Sequence, residues 1–275
     1  MRCLLCATLL LMVGCDNHNK PIRFEDEYTK QLCVLNWDSN CDGELSYAEA
    51  AAVTEIGDMF GGTPIKNFKE LKHFTGLTKI DEDAFGECFS LVNIAIPDSV
   101  TSIGNFAFHD CSSLASITIP GGVTSIGEAA FVRCTGELIV NCNCLESFYD
   151  SDAFRDNEFT KIIIGNGVAK IEDYVFCDFD HVRSIIIPES VTFIGEGAFS
   201  SCESLVNVYC KPINPPAITV GDDSCFPLNS KMKIYVPRES YDAYMKYSLC
   251  EYGNNARTNW CVYEGNISPY DFTKI

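Results

Sequence analysis

A chain of 275 residues, 47% of them hydrophobic, has the material for a large core, which excludes a disordered polymer. Its formal net charge of −18 repels nucleic acid and anionic lipid head groups. Basic protein patches, neutral glycans and divalent cations remain as fitting partners. At the N-terminus, residues 1–14 (MRCLLCATLLLMVG) place one arginine before a short apolar run. That run is too short to span a bilayer, so it reads as a signal peptide.

The next stretch, LMVGC at residues 11–15 followed by polar DNHNK, resembles the bacterial lipobox. The resemblance implies that Cys15 becomes the lipid-modified first residue of an exported chain, anchored at the outer membrane or cell surface. Ordinary secretion with an incidental cysteine is the alternative. Residues 15–23 then form a tether that reaches at most about 30 Å when extended, which keeps the folded body close to the membrane.

Residues 38–49 read DSNCDGELSYAE and match the twelve-residue calcium-loop pattern D-x-[DN]-x-[DN]-G-x5-E at every specified position. Asp38, Asn40 and Asp42 offer side-chain oxygens at loop positions one, three and five, and Gly43 permits the turn. Glu44 offers its carbonyl, Ser46 binds directly or through water, and Glu49 supplies two oxygens. Leu45 is the apolar residue that pins the loop to a core. The flanks suit helices, so residues 24–60 read as an EF-hand-like helix-loop-helix with one structural calcium ion. An acidic helix-turn-helix that holds no metal is the alternative.

Residues 91–113 (LVNIAIPDSVTSIGNFAFHDCSS) and 114–136 (LASITIPGGVTSIGEAAFVRCTG) are two copies of one unit, and residues 182–204 are a third. Phe85, Phe108, Phe131, Phe154, Phe176 and Phe199 mark the register, at spacings of 23, 23, 23, 22 and 23 residues. Such a period predicts a β-rich solenoid of stacked coils over residues 61–208. Ile-x-Ile reads as a short strand and proline ends it. The Ile-Gly glycine is expected to take an unusual dihedral, and Ala-Phe-x-x-Cys to form a short helical or 3₁₀ turn. Residues 137–159 are an irregular copy without the Ile-Pro and Ile-Gly markers. Its Cys142-x-Cys144 lacks the second ligand pair that a zinc site needs. Residues 209–275 leave the period and read as a repeat remnant and cap.

Sixteen cysteines suggest a disulfide scaffold, but Cys88, Cys111, Cys134 and Cys202 hold one repeat position. Aligned residues on neighbouring coils lie about 4.8 Å apart with nearly parallel Cα–Cβ bonds, and parallel bonds do not suit a disulfide. These four read as buried thiols in the role of small apolar residues. Cys210, Cys225, Cys250 and Cys261 have the spacing for one or two bridges, with the pairing open.

With these residues in view, the chain resembles the BspA-like leucine-rich-repeat family of bacterial surface proteins. That family's unit is close to L-x-x-I-x-I-P-x-x-V-x-x-I-G-x-x-A-F-x-x-C-x-x. The tract GELIVNCN and the ending KIYVPRESYDAY also resemble pieces of such proteins. The resemblance covers roughly residues 68–247. It implies a right-handed solenoid, a role in adhesion or protein binding, and no catalytic residues. Partners would be proteins or glycans on host or neighbouring cells, with membrane contact only through the N-terminal lipid and none with nucleic acid.

The middle residue of each strand should point outward. The series Ala95, Thr118, Ile163, Ile186, Tyr209 and Tyr235 runs from small to large and apolar. Ile163, Ile186, Tyr209 and Tyr235 are therefore the candidate contact patch, unless the C-terminal cap covers them. A structural or assembly role in the envelope is the first alternative. A hydrolase whose site forms only in three dimensions is the second, since His73, His109 and His181 stand in no catalytic motif.

Overall fold

The computed structural model describes residues 20–143, 152–219, 224–228, 231–246 and 260–274. Cys15, Cys144 and Cys250 lie outside them, as does the side chain of Cys261. The chain winds as a parallel β-solenoid. Its long sheet holds nine strands: β1 (Asn67–Phe68), β3 (Asn93–Ile94), β5 (Ser116–Ile119), β7 (Thr135–Val140), β8 (Glu158–Ile164), β10 (Ser184–Ile187), β12 (Asn207–Cys210), β14 (Lys233–Pro237) and β15 (Ile267–Tyr270). A second side carries two shorter sheets. One is β2 (Lys79–Ile80), β4 (Ser102–Ile103) and β6 (Ser125–Ile126), and the other β9 (Lys170–Ile171), β11 (Phe193–Ile194) and β13 (Ala217–Ile218). Alternate residues of β5, β10 and β12 are buried, as Ile-x-Ile requires. The long sheet runs past residue 208 without a break in its pairing: Tyr209 aligns with Ile186 and Tyr235 with Tyr209.

The phenylalanine rings stack through the interior. Phe60, Phe85, Phe108, Phe131 and Phe154 form one run, with successive centroids 5.4, 5.3, 5.3 and 5.0 Å apart. Phe176, Phe199 and Phe226 form a second, at 5.3 and 5.2 Å. Between the runs sits Phe179, 5.6 Å from Phe154 and 5.5 Å from Phe176. Phe179 occupies the cysteine position of its coil, and Asn157 occupies that of the coil before. The larger side chains separate neighbouring turns at the place where the two short sheets also part. The β7–β8 pairing, with a bulge at Gly136/Glu137, carries the long sheet across the gap.

Two expectations about the turns need correction. Ala-Phe-x-x-Cys is not helical. The residues two before and two after the phenylalanine take left-handed backbone, as in Phe106 (φ 55) and Asp110 (φ 58) or Ala129 (φ 53) and Arg133 (φ 53). The tight loop lets the N–H of Phe85 and Phe108 reach the carbonyls of Ala107 and Ala130 on the next coil. Nor does the Ile-Gly glycine supply a positive φ. A Cβ on Gly127 would lie 2.5 Å from the Asn105 nitrogen and 2.6 Å from the Gly104 carbon, so the residue is small because the preceding coil passes against it.

The thiols do more than fill space. Cys88, Cys111, Cys134 and Cys202 are buried, and each donates to the carbonyl of the phenylalanine-position residue one coil earlier: Phe60, Phe85, Phe108 and Phe176, at 3.0–3.3 Å. Cys210 and Cys225 are buried and free, which overturns any bridge through them.

The ends are sealed differently. At the N-terminal end, α1 (Glu27–Trp37) and α2 (Tyr47–Ala52) pack Trp37 on Phe74 and Phe60. The Asp26 carboxylate caps α1 through the Tyr28 and Thr29 amides, and also accepts from the Lys66 and Asn67 amides at β1. At the other end, Tyr244, Trp260 and Tyr263 are fully buried, and a short helix α3 (Tyr241–Lys246) lies over β14. Strand β15 is the last of the sheet and carries Pro269, which has no N–H to offer.

Two neighbouring positions should respond with opposite sign. Ala129→Gly relieves a left-handed alanine and should raise stability by about 1 kcal/mol, or a few degrees in melting temperature. Gly127→Ala should lower it by about 1–3 kcal/mol through the backbone clash. Calorimetry on the two variants checks both signs.

Candidate functional site

The outer side of the long sheet is organised in columns. One column aligns Thr118, Ile139, Ile163, Ile186, Tyr209 and Tyr235 in register. All are half-buried, with their strand neighbours turned into the core. Ile139 belongs to the column but lies in the irregular copy, where the missing Ile-Pro marker hid it. The rings of Tyr209 and Tyr235 stack at 5.1 Å, and Tyr270 lies steeply inclined to both, at 5.7 and 5.2 Å. Phe272 continues the cluster 5.0 Å from Tyr270. The C-terminal segment thus enlarges the patch with two rings that the sequence period could not assign. Burial, and then Tyr235 and Tyr270, push the Tyr209 hydroxyl above its usual range.

Beside this cluster opens a cleft of about 630 Å³, lined by Lys211, Ile213, Arg238, Glu239, Asp271 and Phe272 among others. A second cleft, of about 540 Å³, opens where Phe179 parts the coils. It brings Cys177, Asp178, Asp180 and His181 to one place, the mixture of residues a hydrolase would use. The geometry does not support that use. The Cys177 sulfur accepts from the Ser200 hydroxyl, and burial pushes the thiol up, away from a reactive thiolate. No hydrogen bond joins Cys177 to His181 among the described residues. His109 Nδ1 donates to the Phe106 carbonyl and lies near Asp83 and Glu87, while His73 packs its ring on Tyr47.

In the loop of residues 38–49, Asp38 accepts from the Gly43 amide, Asn40 from Asp42, and Asp42 from Glu44. Glu49 accepts from Ser39 and Asn40 through one oxygen and from Ser46 through the other, completing a capping box for α2. The Glu44 side chain pairs with Lys30 at 2.8 Å. Cys41 is disulfide-bonded and takes left-handed backbone at φ 59. Among the described residues no three His, Cys, Asp or Glu side chains are arranged to hold a metal ion.

A model of the BspA-type leucine-rich-repeat region matches residues 57–149 and 147–252, in six copies. The chain belongs to the BspA-type leucine-rich-repeat family. Among solved structures, this BspA-type chain is similar to a leucine-rich repeat protein from Bacteroides ovatus ATCC 8483, at 28% identity and a TM-score of 0.36. The match covers 59% of this chain and 37% of that one. A leucine-rich cell surface protein from Faecalibacterium prausnitzii A2-165 is 24% identical, with a TM-score of 0.27 and coverage of 63% and 57%. A leucine-rich repeat protein of T. pallidum is 23% identical, with a TM-score of 0.31 and coverage of 57% and 62%. The BspA-type chain therefore spans less than two thirds of each of these proteins. No curated protein matches it. No helix among its described residues is long and apolar enough to cross a membrane.

The N-terminal cap should be acid-sensitive. Burial raises the Asp26 and Glu49 carboxyls, but the surrounding amide and hydroxyl donors outweigh it and hold both below the usual carboxylate range. A group with a depressed folded value stabilises above its unfolded pKa and loses that contribution as pH falls through the folded one. Melting temperature should therefore fall between about pH 5 and 3, with a shallower fall in Glu49→Gln. Equal slopes in the two proteins would remove Glu49 from the account.

Proposed function

We propose that this BspA-type solenoid is a non-enzymatic protein-binding module in adhesion or host and envelope contact. In this reading it is exported and held at the cell surface through lipid on Cys15. Contact is made by the outer face of the long sheet around Ile163, Ile186, Tyr209 and Tyr235. The observation that carries the reading is the continuous apolar column from Ile139 to Tyr235 on the side of the sheet away from the core. A protein fits this surface better than a glycan. Tyr209 and Tyr235 each give one ring face to the other, which leaves less open face for a sugar to stack on.

In the same reading one structural calcium ion binds Asp38, Asn40, Asp42, the Glu44 carbonyl, Ser46 and Glu49. Support comes from the loop's closure on its own amides, which gathers the first three side chains. Glu49 would have to exchange its Ser39 and Asn40 donors for the ion. The ion would stiffen the cap and supply no chemistry.

The test is capture from host-matrix and envelope fractions by the mature chain and by Ile186→Asp, with calcium and with chelator. The variant should lose its captured protein while its circular dichroism and melting stay unchanged. Calcium should raise the melting temperature without altering capture. A variant that unfolds would make Ile186 part of the core. For the anchor, radiolabelled palmitate should enter the wild-type chain and not Cys15→Ser; label in both would end the lipid assignment.

A further inference from the structure

Resting on that contact face, we propose that its tyrosine end takes an acidic, extended protein segment with the pattern acid–x–apolar–x–acid. The acids would meet Lys233 and Lys211, and the apolar residue would lie over the Tyr209–Tyr235 pair. Charge carries the argument. Two outward columns pair in register across β8, β10, β12 and β14, one led by Lys161 and one by Ile163; their charged residues are Lys161 and Lys233, and Lys211 follows directly after β12. All three are cations, in a chain whose net charge is −18. Lys161 is neutralised by Glu137 at 3.2 Å. Lys211 and Lys233 form no ion pair among the described residues, and Lys211 lies 5.9 Å over the Phe272 ring. Glu158, at the start of β8, lines the Phe179 cleft. Lys211 shares its cleft with Arg238, Glu189, Glu239 and Asp271, and among the described residues none of these carboxylates forms an ion pair with it. Between Lys233 and Lys211 the outward positions are Asn207, Tyr209 and Tyr235, and none is a carboxylate.

Strand geometry fixes the spacing. Lys233 stands two residues before Tyr235 on β14, and Lys211 two residues after Tyr209, just past the end of the adjacent β12. At about 3.3 Å per residue and 4.8 Å between strands, their Cα atoms lie about 14 Å apart, with the ring pair midway. An extended segment places residues i and i+4 about 13 Å apart on one face, with i+2 between them. The chain's overall charge opposes an acidic ligand at a distance. Screening within about 8 Å at physiological salt leaves the groups nearest the contact to decide it.

Random peptides displayed on phage and selected against the full chain test the proposal. Enriched sequences should carry the acid–x–apolar–x–acid pattern. A labelled peptide of that kind should bind the double variant Lys211→Glu, Lys233→Glu at least about tenfold more weakly by fluorescence polarisation, with melting unchanged. Added salt should also weaken it. Ile186→Asp, beside Tyr209 in register, should weaken it too. Enriched peptides that are neutral or basic yet lost on Ile186→Asp would overturn the acidic pattern and leave the contact face standing. Peptides indifferent to Ile186→Asp would overturn both, and a selection that enriches nothing would overturn the pattern.

Discussion

Each coil of this chain can bury its apolar side only against the coil before and the coil after, and the phenylalanine turn is where that dependence is tightest. Within a few residues the turn stacks a ring on its neighbour and passes amide hydrogens forward to the next coil. It also sends a thiol hydrogen back to the previous carbonyl. These contacts hold the coils in one register, and register is what aligns the outer columns of the long sheet. A slip of one residue would turn the isoleucines and tyrosines into the core and the core residues to solvent.

The thiol column illustrates how chemistry follows from packing. Burial first of all pushes Cys88 and Cys202 up to about 12, so they remain protonated donors at neutral pH. Cys111 is raised too, chiefly by the Cys134 thiol beside it. A protonated thiol adds a second donor to a carbonyl that already accepts an amide of its own turn, as Phe85 does from Cys88 and Phe108 from Cys111, while being small enough to admit a coil at strand spacing. Where Asn157 and Phe179 replace it, the ladder opens and a cleft appears. The fold tolerates the fault because β7 and β8 pair over a longer stretch than other neighbours.

Much of this was legible from the period. Ile-x-Ile, the recurrent phenylalanines and the recurrent cysteines name the inward positions, because stacking makes the same demand on every coil. The left-handed turn was not legible, since Phe106, Ala129 and Tyr174 are residues that seldom adopt it, and only the geometry of the stack requires it. The small residue in Ile-Gly was read as a dihedral device. It answers instead to the passage of a neighbouring coil, a non-local cause that one repeat cannot reveal. On the outer face of the long sheet, Ile163, Ile186, Tyr209 and Tyr235 followed from alternation, whereas Tyr270 and Phe272 arrive from a segment outside the period. The absent cysteines at 157 and 179 were the available sign of the break.

The two ends of the long sheet complete the picture. A stack of parallel strands is an open template, and any exposed edge invites the edge of another molecule. Here α1 and the Asp26 carboxylate occupy the amides at β1, and Pro269 removes a donor from the outer edge of β15. Copies that meet end to end are thereby denied the edge pairing that would join them into fibrils, and the broad face of the sheet takes no part in such a contact.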